Sequence, residues 1–517
     1  MPLKGPVLLL LSAVAVCATS STTLAAKTTL TVGMFSADVG RLDPHVSTGT
    51  PDTVLFNWMF NGLVRFKPGR VDTDSLEPDL AERWESTADG KTWTFHLRRG
   101  VQCHGGYGEL TADDVVYSLK RAADPKRSNF TSDYAVMDKI EAIDPYTVRL
   151  ALKRPVPSLL GLVSNNNGGY VVCKKAAEEM GENFQKRPIG TGPFVFSSYE
   201  AKQLVTLVAN KQYFRGTPKI EKIVYRFIPS DATRTLALTS GELDLAWGTR
   251  DEKWIQRMRE TKGIVVDTTL PAELFTLHLN LTKPPLDDLR VRQAVAYAIN
   301  RPEIIQFQGA SSSRVARSIV PQGYLGYSDD VPLLPYDPAK AKALLTEAGF
   351  PNGVTLKAIQ TQSPSMLGVM QVVQAQLRRA GINLELEVVE HATFHSMIRK
   401  DLGQVIEYSA ARFPVADTYL TQFYHSRSSI GTPTAVTNFS HCNEADQEID
   451  SAAIEPNIEQ KKKLWKLAQQ KIMTKVCSVP LFESLGVWAR RDDLAYGYKY
   501  EGSLSGGPVI NEMTQFK

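Results

Sequence analysis

Apolar and polar positions alternate at two periods along this chain, and the switches between them mark out its elements. Leu30, Val32 and Met34 recur at every second position, as on a strand, and so do Trp93, Phe95 and Leu97. Leu204 to Val208 reads as a strand. Ile223 to Ile228 is a nearly continuous apolar, β-branched run, the pattern of a strand buried on both faces. Ser230 then offers an N-cap for a helix from Asp231 to Ser240, Gly241 closes it, and Leu243, Leu245 and Trp247 return to period two. Strand, helix and strand with short joints predict a right-handed βαβ unit whose two strands are parallel.

The pattern recurs downstream. After the extended run Leu274 to Asn280, Val291, Ala294, Val295, Ala298 and Ile299 fall on one face of a helix stopped by Pro302. Asp337-Pro338 opens another helix, with Ala341, Leu344, Leu345 and Ala348 inward and Gly349 at its end. Val354, Leu356 and Ala358 then read as a strand. Met366, Val369, Met370, Val373 and Leu377 make a helix ended by Gly381, and Ile382, Leu384, Leu386 and Val388 alternate. This second βαβ unit implies a second α/β lobe with its own sheet. A further strand, about residues 404–408, runs into Ser409-Ala410-Ala411-Arg412-Phe413-Pro414. In parallel sheets ligands bind beyond the carboxyl ends of the strands. The residues just past those ends are Trp247 and Arg250 in the first lobe, and Arg412 and Phe413 in the second.

Bulk properties narrow the function. At 517 residues the chain exceeds one ordinary core, so two or three domains are expected. Hydrophobic and charged contents of 43% and 22% are those of a globular protein, and a net charge of +4 argues against a nucleic-acid partner. The one basic block, Lys461-Lys462-Lys463, lies on a helical pattern and reads as a solvated face. At the N-terminus, Lys4 precedes the short apolar core Val7 to Val16, and Thr23-Leu24-Ala25 supplies small residues for cleavage after Ala25 or Ala26. Residues 1–26 are therefore expected to be a signal peptide, placing the mature protein in the periplasm as a soluble protein. A lipid anchor on Cys17 is the alternative, although Val16 is a poor neighbour for it.

Short motifs in a fixed order carry a family resemblance. Pro188-Ile189-Gly190-Thr191-Gly192-Pro193-Phe194, Asn210-Lys211-Gln212-Tyr213-Phe214 and Ser240-Gly241-Glu242-Leu243-Asp244 resemble the extracytoplasmic solute-binding proteins of peptide/nickel-type ABC importers. Phe60-Asn61-Gly62-Leu63-Val64, the segment Leu76 to Glu85, Gly100 to Gly106 and the tail Val479 to Arg491 extend the likeness over almost the whole mature chain. The resemblance implies a two-lobed α/β periplasmic-binding-protein fold with an extra subdomain and a ligand cleft between the lobes. It divides the chain into a first lobe (27–55), the extra subdomain (56–181), the first lobe again (182–280), a second lobe (281–489) and a return to the first (490–517). It implies a monomer that captures a peptide or peptide-like small molecule by hinge closure. The ligand passes to an inner-membrane permease and its ATPase, and no cofactor or chemistry is needed.

The resemblance also nominates residues. The loop Ser47-Thr48 belongs to the rim of the cleft. In peptide-binding relatives the loop here filled by residues 409–414 carries an aspartate for the ligand's α-ammonium group. Arg412 falls at that position and reverses its charge, which makes an anionic ligand a candidate; in another register Asp417 takes the acidic role. Phe413 and Tyr419 are candidate apolar walls or simply pack, Trp247 is an aromatic face or an interlobe packing residue, and Arg250 is an anion partner or an exposed charge. Four cysteines follow the signal segment, and pairing within lobes would join Cys442 to Cys477 and Cys103 to Cys173. Cys103 as a buried free thiol is the alternative, because it stands where the family has a bulky residue.

An exported hydrolase is the competing class, along with binding of a metal chelate, opine or sugar. No Gly-x-Ser-x-Gly or His-Glu-x-x-His stretch is present. His391 and His395 are one helical turn apart, but Ala392 stands where a catalytic glutamate would, so they read as part of an ordinary, partly exposed helix rather than a zinc site. His104 beside Cys103 reads as a turn residue. Gly190-Thr191-Gly192 lacks the spacing of a phosphate loop and reads as a turn.

Overall fold

One mixed sheet of eleven strands runs through this computed structural model, which describes Met1 and residues 27–517 apart from 165, 167 and 432–436. The proposed signal segment thus lies outside the described residues, apart from Met1, as do two asparagines of the turn at 164–169. In chain order the strands are β1 (Thr29–Met34), β2 (Phe194–Glu200), β3 (Leu204–Ala209), β4 (Lys222–Phe227), β5 (Leu245–Trp247) and β6 (Ile264–Leu279). They continue with β7 (Ser313–Val315), β8 (Val354–Thr361), β9 (Ile382–Val389), β10 (Val405–Ala410) and β11 (Ser478–Arg491). Their spatial order is β9-β8-β10-β6-β11-β5-β1-β4-β3-β2, with β7 beside β11.

Helix α1 (Asp231–Thr239) joins β4 to β5, capped by the Ser230 side chain, which accepts from the Thr233 N–H. The two strands are parallel but not adjacent: β1 lies between them and is parallel to both. The expected βαβ unit is therefore opened by a strand from the far N-terminus. In the second lobe, α2 (Pro364–Arg379) joins β8 to β9, and here the two parallel strands are direct neighbours from Val354↔Ile382 to Thr361↔Val389. Strand β10 lies parallel on the other side of β8.

The two halves are tied together by β6 and β11, an antiparallel pair extending from Ile264↔Arg491 to His278↔Ser478. Its register shifts between Thr269 and Glu273, where the ladder breaks and the strand bends. Before that break β11 pairs with β5 of the first lobe, and beyond it β6 pairs with β10 of the second. Backbone crossing strands, rather than a tether, therefore connect the lobes. Period two is realised around β6: Phe275, Leu277 and Leu279 enter one core with Val291 and Val369. Leu274 enters another with Tyr419 and Trp465.

A separate four-stranded antiparallel sheet orders Ala81–Ser86, Thr92–Leu97, Thr147–Leu152 and Met137–Asp144. The helix Ala112–Ala122 packs on it and starts with a capping box between Thr111 and Asp114. Cys103 is bonded to Cys173 across 6.1 Å between Cα atoms, and Cys442 to Cys477 across 5.8 Å. Gly190 and Gly192 lie against the Met59 carbonyl group so closely that a Cβ on Gly190 would stand 2.2 Å from its oxygen. Close backbone approach, not phosphate binding, is what the glycines of that turn serve.

Candidate ligand cleft

The cleft is built where β5, β6 and β10 end or bend. Trp247, the last residue of β5, is half-buried, its ring 5.0 Å from Phe35 and 5.4 Å from Trp488. Its partner residue in the ladder is that same Trp488. Its backbone carbonyl is held by Arg234 Nε at 2.8 Å. Just beyond it, Arg250 Nη1 donates to Glu273 at 3.3 Å, while the other oxygen of Glu273 accepts from the Ser409 hydroxyl at 2.8 Å. One carboxylate at the bend of β6 thus joins a first-lobe arginine to a second-lobe serine. Arg250 Nε is buried without a hydrogen-bond partner.

Behind Ser409, Glu407 is fully buried opposite Leu277 of β6. Burial pushes its carboxyl up to about 8; Gln360 Nε2, donating at 3.4 Å, opposes the rise and the Glu273 carboxylate adds to it. Glu407 is therefore largely protonated at neutral pH, as a buried carboxyl without a cation must be.

The loop after β10 meets the first lobe. Arg412 Nε donates to Gln422 at 2.7 Å, Nη1 to the Ala411 carbonyl at 3.0 Å, and the guanidinium lies 5.5 Å from the Phe423 ring. Its own carbonyl accepts from the Tyr324 hydroxyl at 2.8 Å. Across the boundary, burial pushes the Asp133 carboxyl above its usual range and Arg412 draws it back. Phe413 stands 5.7 Å from Phe66 and directly over Gly161.

The next element, α4 (Ala416–Tyr424), carries Asp417 and Tyr419 inward. Tyr419 is 2% exposed and its hydroxyl donates to the Ala410 carbonyl, so it packs beneath the loop and supports it. Asp417 is buried as well, and burial pushes it up to about 6 against the pull of Arg154, Arg427 and Lys461. It does not face an open cleft. Its helical position turned it into the lobe, whereas Arg412 and Phe413 precede the helix on a loop.

Ser47 donates its hydroxyl to Asp52, and Thr48 is exposed; neither lines the cavity described next. A cavity of about 200 Å³ lies between the lobes, lined by Arg70, Asp72 and Glu501 on one side and Tyr324 and Pro414 on the other, with Leu270 at the bend of β6. His104 is buried with Nε2 2.9 Å from the Gly192 carbonyl, and burial lowers it to about 4; it is a core residue. Lys462 pairs with Glu459 on the solvated face of its helix. Among the described residues, no three of His, Cys, Asp and Glu converge on a metal position. None of their helices is long and apolar enough to cross a membrane.

Asp133, Phe66, Glu273 and Ser409 were not singled out by the sequence. Glu407 had a signal that could have found it, the one acid of the strand Val405–Ala410, whereas Glu273 shares its strand with Asp267 and several threonines.

Comparison with known proteins agrees with this architecture. The chain is 28% identical over 485 residues to Heme-binding protein A of Haemophilus influenzae, covering 87% of this chain and 86% of that protein. It is 33% identical over 361 residues to the Dipeptide-binding protein of Escherichia coli K12, covering 64% and 66%. Among solved structures, MoaA of A. tumefaciens R10 in complex with mannopinic acid is 51% identical, with a TM-score of 0.85, covering 95% of this chain and all of that one. DppA of Helicobacter pylori in complex with the peptide STSA is 25% identical, with a TM-score of 0.81, covering 95% and 99%. These relatives are binding proteins, and the solute-binding proteins of ABC importers work in the periplasm with a membrane permease. Residues 75–430 match the bacterial extracellular solute-binding proteins, family 5, and this two-lobed chain belongs to that family, the substrate-binding components of ABC importers.

Proposed function

We propose that this chain captures an acidic, opine-like solute between its lobes and hands it unchanged to its permease and ATPase. The observation that carries the reading is Arg412: a guanidinium on the loop that faces the first lobe, beside Phe413 and opposite Asp133. A planar cation in a closing crevice holds a carboxylate in a two-bond fork, which suits an acid better than a ligand led by its ammonium group. The MoaA complex with mannopinic acid, at 51% identity, supports the same ligand class. The DppA complex with STSA supports a peptide as the second reading.

The cycle rests on differential affinity. A solute touching both lobes binds the closed form more tightly than the open one and so shifts the population toward closure. The bend of β6 at Thr269–Glu273 is the proposed hinge, since it divides the strands that pair with each lobe. The proposed lobes are 27–55, 182–280 and 490–517 on one side and 281–489 on the other, with 56–181 as the extra subdomain; a hinge at the bend moves the edge between them to residues 269–273, since Leu274 to Leu279 pair with β10 and Trp488 and Ala489 pair with β5. Trp247 and Arg250 contribute the first-lobe wall, and Ser47 and Thr48 its rim. The protein acts as a monomer, exported by the signal segment 1–26, and no catalytic step is part of the role.

Native mass spectrometry of the gently purified protein tests the reading. The expected result is one bound acid of small mass per chain, displaced by added mannopinic acid. A co-purified peptide that mannopinic acid does not displace would overturn it.

A further inference from the structure

We infer that His391 and His395 form a two-imidazole site for a late first-row divalent metal ion, Cu2+, Ni2+ or Zn2+, on the second lobe. The inference is independent of which solute the cleft takes. Helix α3 (His391–Ile398) begins at the first histidine and completes a turn at the second, so both rings leave the same face. Their Nε2 atoms stand 3.3 Å apart, with ring centroids 4.6 Å apart and planes at 79°. Two nitrogens bound at about 2.0–2.1 Å in tetrahedral geometry are about 3.3–3.4 Å from each other, and the observed gap matches that edge.

Both rings are oriented from outside. The Thr361 hydroxyl lies 3.0 Å from His391 Nδ1 and is itself fixed by the Ser363 N–H at 3.1 Å. Metal-bound histidines characteristically make such an outer hydrogen bond through the ring nitrogen that does not bind the ion. His395 is held edge-on by Phe394 at 5.3 Å and Tyr408 at 6.2 Å. Its Nδ1 is buried without a partner, so its directed nitrogen contact runs through Nε2 toward His391.

The site also has a place in the fold. Thr361 ends β8 and His391 follows β9, so the pair sits at the carboxyl ends of the parallel strands, the edge from which the Arg412 loop also leaves. Because no third protein ligand converges among the described residues, the remaining positions are open to water or to donor atoms of a solute. A site of two imidazoles favours copper over nickel and zinc by the ordinary stability order.

The test is titration calorimetry of metal-free protein with copper, nickel and zinc salts, with copper EPR as a structural readout. One ion per chain is expected, copper tightest, with nitrogen hyperfine structure from two imidazoles. His391→Gln and His395→Gln should each weaken binding at least tenfold, and Thr361→Val by a smaller factor. Copper should raise the unfolding temperature of the wild type and not of the variants. If His395→Gln does not fold, the exposed His391 carries the test alone. Absence of uptake by the wild type, or equal uptake by His391→Gln, would overturn the assignment and place any bound metal on other histidines.

Discussion

The ring of Phe413, on the loop after β10, stands 5.7 Å from the ring of Phe66, with Gly161 directly beneath it. A Cβ on Gly161 would come within 2.4 Å of the Phe413 ring, so this seat accepts no side chain. Gly161→Ala should therefore hold the lobes apart. In small-angle scattering with mannopinic acid present, the variant should keep a larger radius than the wild type and bind the solute more weakly. Equal radii would mean that Phe413 is not part of the closure contact.

Arg412 supplies the charge in the proposed capture. Truncating one member of a buried charge pair costs about 2–5 kcal/mol, and each 1.4 kcal/mol is about a factor of ten in affinity. Arg412→Ala should weaken mannopinic acid by roughly 30-fold to several thousand-fold, and its methyl ester far less. Arg412→Lys should recover only part of the loss, because a point charge lacks the planar fork. Calorimetry that finds all three proteins equal would make Arg412 an ordinary surface group.

Glu407 makes stability depend on pH with a definite sign. Its folded carboxyl titrates near 8, above its ordinary 4.5, so between those values the folded state binds more protons than the unfolded one. Stability should fall as pH rises through that window, most steeply relative to the unfolded chain once the free carboxyl has ionised. Glu407→Gln should flatten this part of the profile and gain relative stability above pH 8. Thermal unfolding from pH 4 to 9 reads the difference, and parallel profiles would rule out a buried neutral carboxyl.

The two disulfides should contribute unequally. Cys103–Cys173 closes a sequence separation of 70 and Cys442–Cys477 one of 35. Doubling a loop adds about 0.6 kcal/mol of closure entropy, on a base of about 2–5 kcal/mol per native bridge. Denaturant unfolding of the two double-serine variants should rank them in that order. The reverse ranking would mean that native packing, not loop closure, sets the contribution.

How much of this was legible depends on the range of the contacts. Period-two runs around Leu30, Trp93 and Ile382 reflect only the local pleat, and all three became strands. β8 and β9, the strands of the second βαβ pattern, are direct neighbours as that pattern implies. The insertion of β1 between β4 and β5 did not, because it pairs residues 29–34 with residues 222–227 and no local period encodes such a partner. The same holds at the cleft. Arg412 and Phe413 could be named because they follow a strand end, but Asp133 and Phe66 come from a distant part of the chain. For Tyr419 the sequence left a wall and a packed ring both open; the turn of α4 carries its ring into the lobe.

Capture of an acidic solute without chemistry is put to the test by titrating the wild type with mannopinic acid. One site per chain, a shift to a smaller radius, and ligand recovered unchanged after hours of incubation are expected. At a hundredfold excess over Kd the protein should gain about 2.7 kcal/mol of unfolding stability. No binding of mannopinic acid alongside tight binding of a short peptide such as STSA, or conversion of the acid to a product, would contradict it.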